Sequence, residues 1–253
     1  GLARAGRGRL SQAPGRSAGA PERERVDLAD LRLRRHAAGG RHGIDEAQTM
    51  ALLDRLGIRT PRRAEVATSA EAVAAADRIG YPCVLKLVEP FMAHRARHGA
   101  VAVGIDNAQQ LTDAYERMTQ RFAMTRALVV EQVRPGPELI AGVLADVTFG
   151  SRAVLGSGGV WANEINDMLT LVPPYDAAYV EHTLRRLKLS GQFAEPDSVS
   201  GLAKDIATIL TRFDAVVRDG AIGITEIECN PLRVVDGAVT VLDALAFATG
   251  EEG

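Results

Sequence analysis

Near its C-terminal end the sequence reads GITEIECNPLRVV, then Asp236-Gly237, then AVTVLDAL. Two alternating runs rich in Ile, Val and Thr, joined by Asp-Gly, are a strong local signal for an antiparallel hairpin, because Asp-Gly accepts the positive φ angles of a two-residue turn. Period-two alternation places Glu226, Glu228 and Asn230 on one face of the first run, with Ile227 and Cys229 on the other. Across the turn, Asp243 brings another carboxylate to the same region. Hard oxygen donors on one strip suit Mg²⁺, which shares its shell with substrate phosphates. A solvated sheet face has the same spacing, so the pattern leaves both readings open. Pro231 directly after Asn230 predicts that the strand ends there.

Upstream, helical and strand periods alternate. Asp45 is placed to cap DEAQTMALLDRLG, with Ala47, Met50, Leu53 and Leu56 at helical spacing and Gly57 as its stop. Ser69 is expected to cap SAEAVAAADRIG, and CVLKLV follows as a buried strand. AVAVGI, ALVVEQV, PELIAGVLAD and SRAVLGSGG read as further strands, the last two paired around Phe149-Gly150. NAQQLTDAYERM and the stretches near 176–189 and 197–218 read as helices, the last capped by Asp197 or Ser198. No fixed-period repeat is present, which argues against a solenoid.

Charge is unevenly distributed. Residues 1–45 hold ten Arg against five acids, in a chain whose totals are 30 basic and 32 acidic. Gly, Pro, Ser and Arg dominate up to Pro21, and only VDLADLRLRR after it is amphipathic, so residues 1–42 read as a linker or partner arm. The arm has no aromatic residue to stack on bases, and the near-neutral total excludes nucleic-acid binding as the dominant character. No run of about 18 apolar residues spans a bilayer, and GLARAGRGRL lacks an apolar secretory core. Two cysteines, Cys83 and Cys229, make no disulfide framework and suit a reducing compartment, so the cytoplasm is expected. The first residue is Gly rather than Met, as in a cleaved piece or part of a longer polypeptide.

Only three lysines occur, and Lys86 stands inside CVLKLV. A strand buried on both faces desolvates an ammonium at a cost of several kcal/mol unless an anion compensates it. A bound phosphate would do so; an edge strand with an outward, solvated Lys is the alternative. PFMAHRARHGAV places His94 and His98 four apart. Zinc is disfavoured because Gly99 breaks a helix and no third ligand follows at a recognisable spacing. A polar loop and a proton- or phosphate-accepting histidine stay open. The glycines of GSGG, Gly156 to Gly159, let backbone amides approach an anion, a weak signal by itself. Trp161, the sole tryptophan, reads as packing.

In order, IGYPCVLKLVEPFMAHR, VVEQVRPGPELIAGVLADVTFG, LGSGGVWANEINDM and EIECNPLRVVDGAVTVLDA resemble the ATP-grasp domain of the NDP-forming acyl-CoA synthetases. That family includes the beta subunit of ADP-forming acetyl-CoA synthetase and is related to succinyl-CoA synthetase. The resemblance implies an α+β fold with two subdomains clasping a nucleotide, at 43–128 and 129–253. It implies ATP or ADP with Mg²⁺, and a CoA-binding alpha-type subunit or fused domain that handles acyl-CoA and the carboxylic acid, hence a hetero-oligomer. By the same resemblance, Lys86 meets a phosphate, Glu131 and Val133 hold the adenine, Glu138 lies near the ribose, and Gly158 and Gly159 belong to the phosphate loop. Glu228, Asn230 and Asp243 hold Mg²⁺, and His94 relays a phosphoryl group beside Arg95.

The family's usual His-Lys pair is His94-Arg95 in this chain, and the acid and paired glycines that generally follow are Arg97 and Gly99-Ala100. The expected glutamate falls on Asn163, and an expected arginine on Leu171. These departures leave two functions: a divergent acid-CoA ligase, or an ATP-grasp module retained as a nucleotide sensor or scaffold.

Overall fold

The computed structural model describes residues 33, 35–38, 41–88, 99–159, 167–192, 196–220 and 222–249. Strands β1 (Arg35–Ala38) and β2 (Arg41–Ile44) form an antiparallel hairpin, so regular pairing begins inside the stretch that the sequence assigns to the arm. Helix α1 (Glu46–Arg55) follows, capped as expected by Asp45, whose side chain accepts the Gln48 amide at 2.9 Å. Gly57, at φ +65°, takes the left-handed backbone that releases the chain from the helix.

Residues 63–131 build the smaller layer. β3 (Arg63–Val66), β4 (Cys83–Leu87), β5 (Val101–Ile105) and β6 (Ala127–Glu131) form an antiparallel sheet in the order β3-β6-β4-β5. Helices α2 (Ser69–Ile79) and α3 (Ala108–Phe122) join its elements and cover one face. The α2 cap is Thr68 rather than Ser69. Thr68 keeps extended backbone and accepts the Glu71 amide at 3.2 Å, while the Glu71 carboxylate accepts the Ala67 amide at 2.8 Å. Alternation in β4 sends Cys83, Leu85 and Leu87 under the helices, and Val84 and Lys86 to the opposite face.

The larger sheet takes in both flanks of this layer. It contains β7 (Glu138–Asp146), β8 (Gly150–Ser157), β9 (Met168–Leu171), β10 (Ile224–Val235), β11 (Ala238–Val241) and β12 (Ala244–Ala248), in the order β1-β2-β12-β10-β7-β8-β9 with β11 paired to β10. Helix α4 (Ala177–Leu184), a 3₁₀ turn (Lys188–Gln192) and the long α5 (Pro196–Asp219) connect β9 to β10. Because α5 starts at Pro196, Asp197 and Ser198 lie within its first turn rather than before it. Met50, Leu52 and Leu53 of α1, with Leu56 just after it, enter the same core as Leu139, Leu155, Phe213 and Ile227. Residues 43–58 therefore pack with the larger sheet, although the sequence division at 43 and 128 counts them with the first subdomain.

The hairpin is as expected: Val235 pairs Ala238, and Asp236 and Gly237 have φ +51° and +75°. The strand does not end at Pro231, however. β10 continues to Val235 through a register shift against β7 between Cys229 and Leu232, which absorbs the missing proline amide. Among the described residues no helix is long and apolar enough to cross a membrane.

Candidate functional site

Lys86 lies on the face of β4 that looks away from α2 and α3. Its Nζ donates to Glu46 Oε1 at 2.7 Å and to the Leu242 carbonyl at 2.6 Å. β4 is an inner strand between β5 and β6, so the edge-strand alternative fails. The residue is 8% exposed, and the compensating anion is Glu46, itself 1% exposed, which local spacing did not reveal.

Leu242 leads directly into Asp243. The register Glu228 to Leu245 and Cys229 to Ala244 continues to Asn230 and Asp243, where the Asn230 amide donates to the Asp243 carbonyl at 3.0 Å. Glu228, Asn230 and Asp243 thus share the sheet face opposite the hydrophobic core. Asn230 Oδ1 accepts the Gly159 amide at 2.9 Å, and the Gly158 amide donates to the Glu138 carbonyl at 2.8 Å. A Cβ on Gly158 would stand 2.2 Å from the Leu139 backbone, so this approach requires glycine. Both amides have protein acceptors here, a difference from the expectation that the glycine run offers them to an anion.

On the next strand residues, Arg233 Nε reaches Glu138 Oε1 at 3.1 Å with Nη2 on the same oxygen, while Nη1 donates to the Val133 carbonyl at 3.0 Å. Arg233 therefore ties β10 to the start of β7 and to the 131–138 connection between the two sheets. Sequence reading missed it, because its partners lie 95 and 100 positions away. Lys86, Val133, Glu138, Gly158, Gly159, Asn230 and Asp243 are thus linked by hydrogen bonds and chain adjacency, with Glu228 beside them on β10.

Glu131 stands apart. It continues the helix-covered face of β6 with Ala127 and Val129, and its carboxylate takes Arg62 Nε at 3.1 Å and Nη2 at 3.2 Å. Only its backbone adjoins the connection to β7. The hydrogen bond from the Arg62 side chain, aided by the Arg62 amide and charge, holds the Glu131 carboxyl below its ordinary 4.5. A depressed folded-state value means that the pair contributes above pH 4.5 and that the contribution is lost as pH falls through the folded value. The stability gap between wild type and Glu131→Gln is therefore expected to be small, since water screens both partners, constant from pH 7 to 5, and gone in stronger acid. Urea unfolding across that range checks it; a gap that persists when the carboxylate is protonated assigns it to packing.

Both cysteines are buried and free. Burial pushes the Cys83 thiol up to about 11. Burial, then Asp243 and Glu228, pushes Cys229 well above its usual value. Among the described residues no three His, Cys, Asp or Glu side chains form a metal cage. Two carboxylates and an amide still fit Mg²⁺, which takes one or two protein carboxylates and completes its shell with water and phosphates. A groove of about 420 Å³ between α1 and β3, walled by Ala51, Asp54, Pro61 and Arg63, contains none of these residues.

His94, Arg95, Arg97, His98, Trp161 and Asn163 lie outside the described residues. Leu171, the position of the expected arginine, is 1% exposed in the larger core beside Leu155 and Ala153.

The sequence profile of the ATP-grasp domain matches residues 35–246. The chain belongs to the ATP-grasp family. ADP-forming acetate-CoA ligase II of Archaeoglobus fulgidus is 27% identical over 199 residues, covering 79% of this chain and 29% of that protein. The beta subunit of ADP-forming acetate-CoA ligase I of Pyrococcus furiosus is 26% identical over 216 residues, covering 79% of this chain and 89% of that subunit. A solved acetyl-coenzyme A synthetase 1 of Ca. Korarchaeum cryptofilum, in complex with coenzyme A, Ca-AMPCP and HgCl+, superposes with a TM-score of 0.69 at 24% identity, covering 81% of this chain and 93% of that one. This likeness shows the ATP-grasp fold. The chain spans about three tenths of the length of the single-chain relatives it matches, and most of the beta subunit.

Proposed function

We propose that this ATP-grasp chain is the nucleotide-binding part of an ADP-forming acid-CoA ligase. It would act with a CoA-binding subunit or fused domain in the cytoplasm, in the reaction acyl-CoA + ADP + phosphate ⇌ carboxylic acid + CoA + ATP. Its main support is that Lys86 from the smaller sheet meets the Leu242 carbonyl, directly before Asp243, which shares its sheet face with Glu228 and Asn230, in a family whose matched relatives carry acid-CoA ligase names.

In this reading Lys86 neutralises a phosphate and the Val133 segment receives the adenine, while Arg233 fixes that segment against Glu138. Glu228, Asn230 and Asp243 would hold Mg²⁺, which when bound neutralises phosphate charge. His94 attacks the phosphorus of a phosphohistidine on the partner; the partner's P–N bond breaks as the new one forms. A terminal phosphate oxygen of ADP then takes the phosphoryl group, giving ATP and free imidazole. Positioning and charge neutralisation are the protein's main contributions to such a transfer.

The buried Leu171 favours a second reading, a nucleotide sensor that lacks turnover, because no cation stands where the family's arginine is expected. Thermal shift with Mg-ADP and Mg-ATP tests what the two share. A hundredfold excess over Kd should add about 2.7 kcal/mol of stability, and no shift at millimolar nucleotide overturns both. Acid- and CoA-dependent ADP formation from ATP with CoA-binding partners then separates them, since binding without turnover with any partner is the sensor's result.

A further inference from the structure

Two carboxylates stand side by side at the start of α1, Asp45 as its cap and Glu46 as its first residue, and each holds a cation from the smaller layer. Asp45, 0% exposed, receives Arg126 Nη1 at 3.0 Å, and Glu46 receives Lys86 Nζ at 2.7 Å. Since α1 belongs to the core of the larger sheet, both ion pairs cross between the layers. They differ in what else each cation meets. Arg126 also binds Glu65 of its own sheet, and Glu65 first and Asp45 after it favour its charged form. Lys86 instead has the Leu242 carbonyl, next to the Asp243 strip.

We infer that Glu46 is the resident counter-ion of Lys86, which the phosphates of an adenine nucleotide displace, so that this carboxylate sets nucleotide affinity. The inference rests on the nucleotide-binding reading above. A buried ammonium needs one anion close by, and the one it has stabilises the ligand-free state. A phosphate reaching Lys86 must take over that role and also meets the negative charge of Glu46, which opposes it at short range. The ion pair of Arg126 with Asp45 keeps α1 joined to the smaller sheet while Lys86 changes partner.

Glu46→Gln keeps the shape and removes the charge. Calorimetric titration should show ADP binding about tenfold tighter in this variant, the change expected when a like charge within contact range is removed. Adenosine has no phosphate, so its affinity should stay within about twofold. Glu46→Asp, which withdraws the carboxylate by one methylene, should tighten ADP by about threefold and keeps the test open if Glu46→Gln does not fold. A purely structural Glu46 would weaken ADP and adenosine alike, and that result overturns the inference, as does ADP affinity unchanged in a folded variant. Wild type that binds no ADP overturns the nucleotide reading together with the inference; wild type that binds ADP, with no tightening in the variants, overturns the inference alone.

Discussion

Lys86→Met is expected to cost about 3–5 kcal/mol of unfolding free energy and to abolish measurable ADP binding. Methionine keeps the stem that lies with Val84 and Val88 on the apolar face of the smaller sheet, so little packing is lost. What changes is charge. Glu46 is 1% exposed and loses the ammonium 2.7 Å away, and the Leu242 carbonyl loses its donor. Removing one partner of a buried pair leaves the other less well compensated, which costs more than replacing both. The paired change Lys86→Met with Glu46→Gln should therefore recover most of the stability while restoring no ADP affinity. Urea unfolding and ADP titration read the two effects separately. If Lys86→Met unfolds at the wild-type midpoint, the pair does not stabilise the fold; if it binds ADP as wild type does, Lys86 is not the phosphate ligand.

The success and failure of sequence reading follow the distance over which each feature is encoded. The Asp236-Gly237 hairpin, the Asp45 cap and the alternation of Glu226, Glu228 and Asn230 depend on residues two to four positions apart, and all three are present in the fold. Lys86 stood out because a lysine in an apolar strand demands an anion, yet the anion lies 40 positions upstream at the start of another layer. Nothing in the DEAQTM segment distinguishes Glu46 from an ordinary acidic residue favouring a helix N-terminus. Arg233 was hidden in the same way by partners that only the β10 to β7 register brings near. Pro231 misled for a local reason. Proline ends a regular ladder, but the register shift beside it lets β10 continue to Val235. Leu171 shows the converse: its departure from the family pattern was legible, whereas its burial in the core of the larger sheet was not.

His94→Asn is expected to lower partner-dependent acyl-CoA synthesis by at least about a thousandfold while leaving ADP affinity within about twofold. Topology supplies a reason to place the histidine in this chemistry. β4 and β5 are adjacent antiparallel strands, and the register pairs Lys86 with Val101. The connection that carries His94 therefore leaves its strand just after Lys86 and returns to the partner of that same lysine. Transfer needs a neutral imidazole nitrogen to attack phosphorus, and Arg95 and Arg97 are its basic neighbours in the sequence. Asparagine has no nitrogen that can carry the phosphoryl group, so the loss should fall on turnover rather than on ground-state binding. His98→Asn, four positions further on, should reduce turnover by less than about threefold, which separates relay from general loop damage. Steady-state turnover with the CoA-binding partner, set beside ADP titration of each variant, reads both quantities. Wild-type turnover in His94→Asn would rule out the relay, and equal losses in both variants would assign the effect to the connection as a whole.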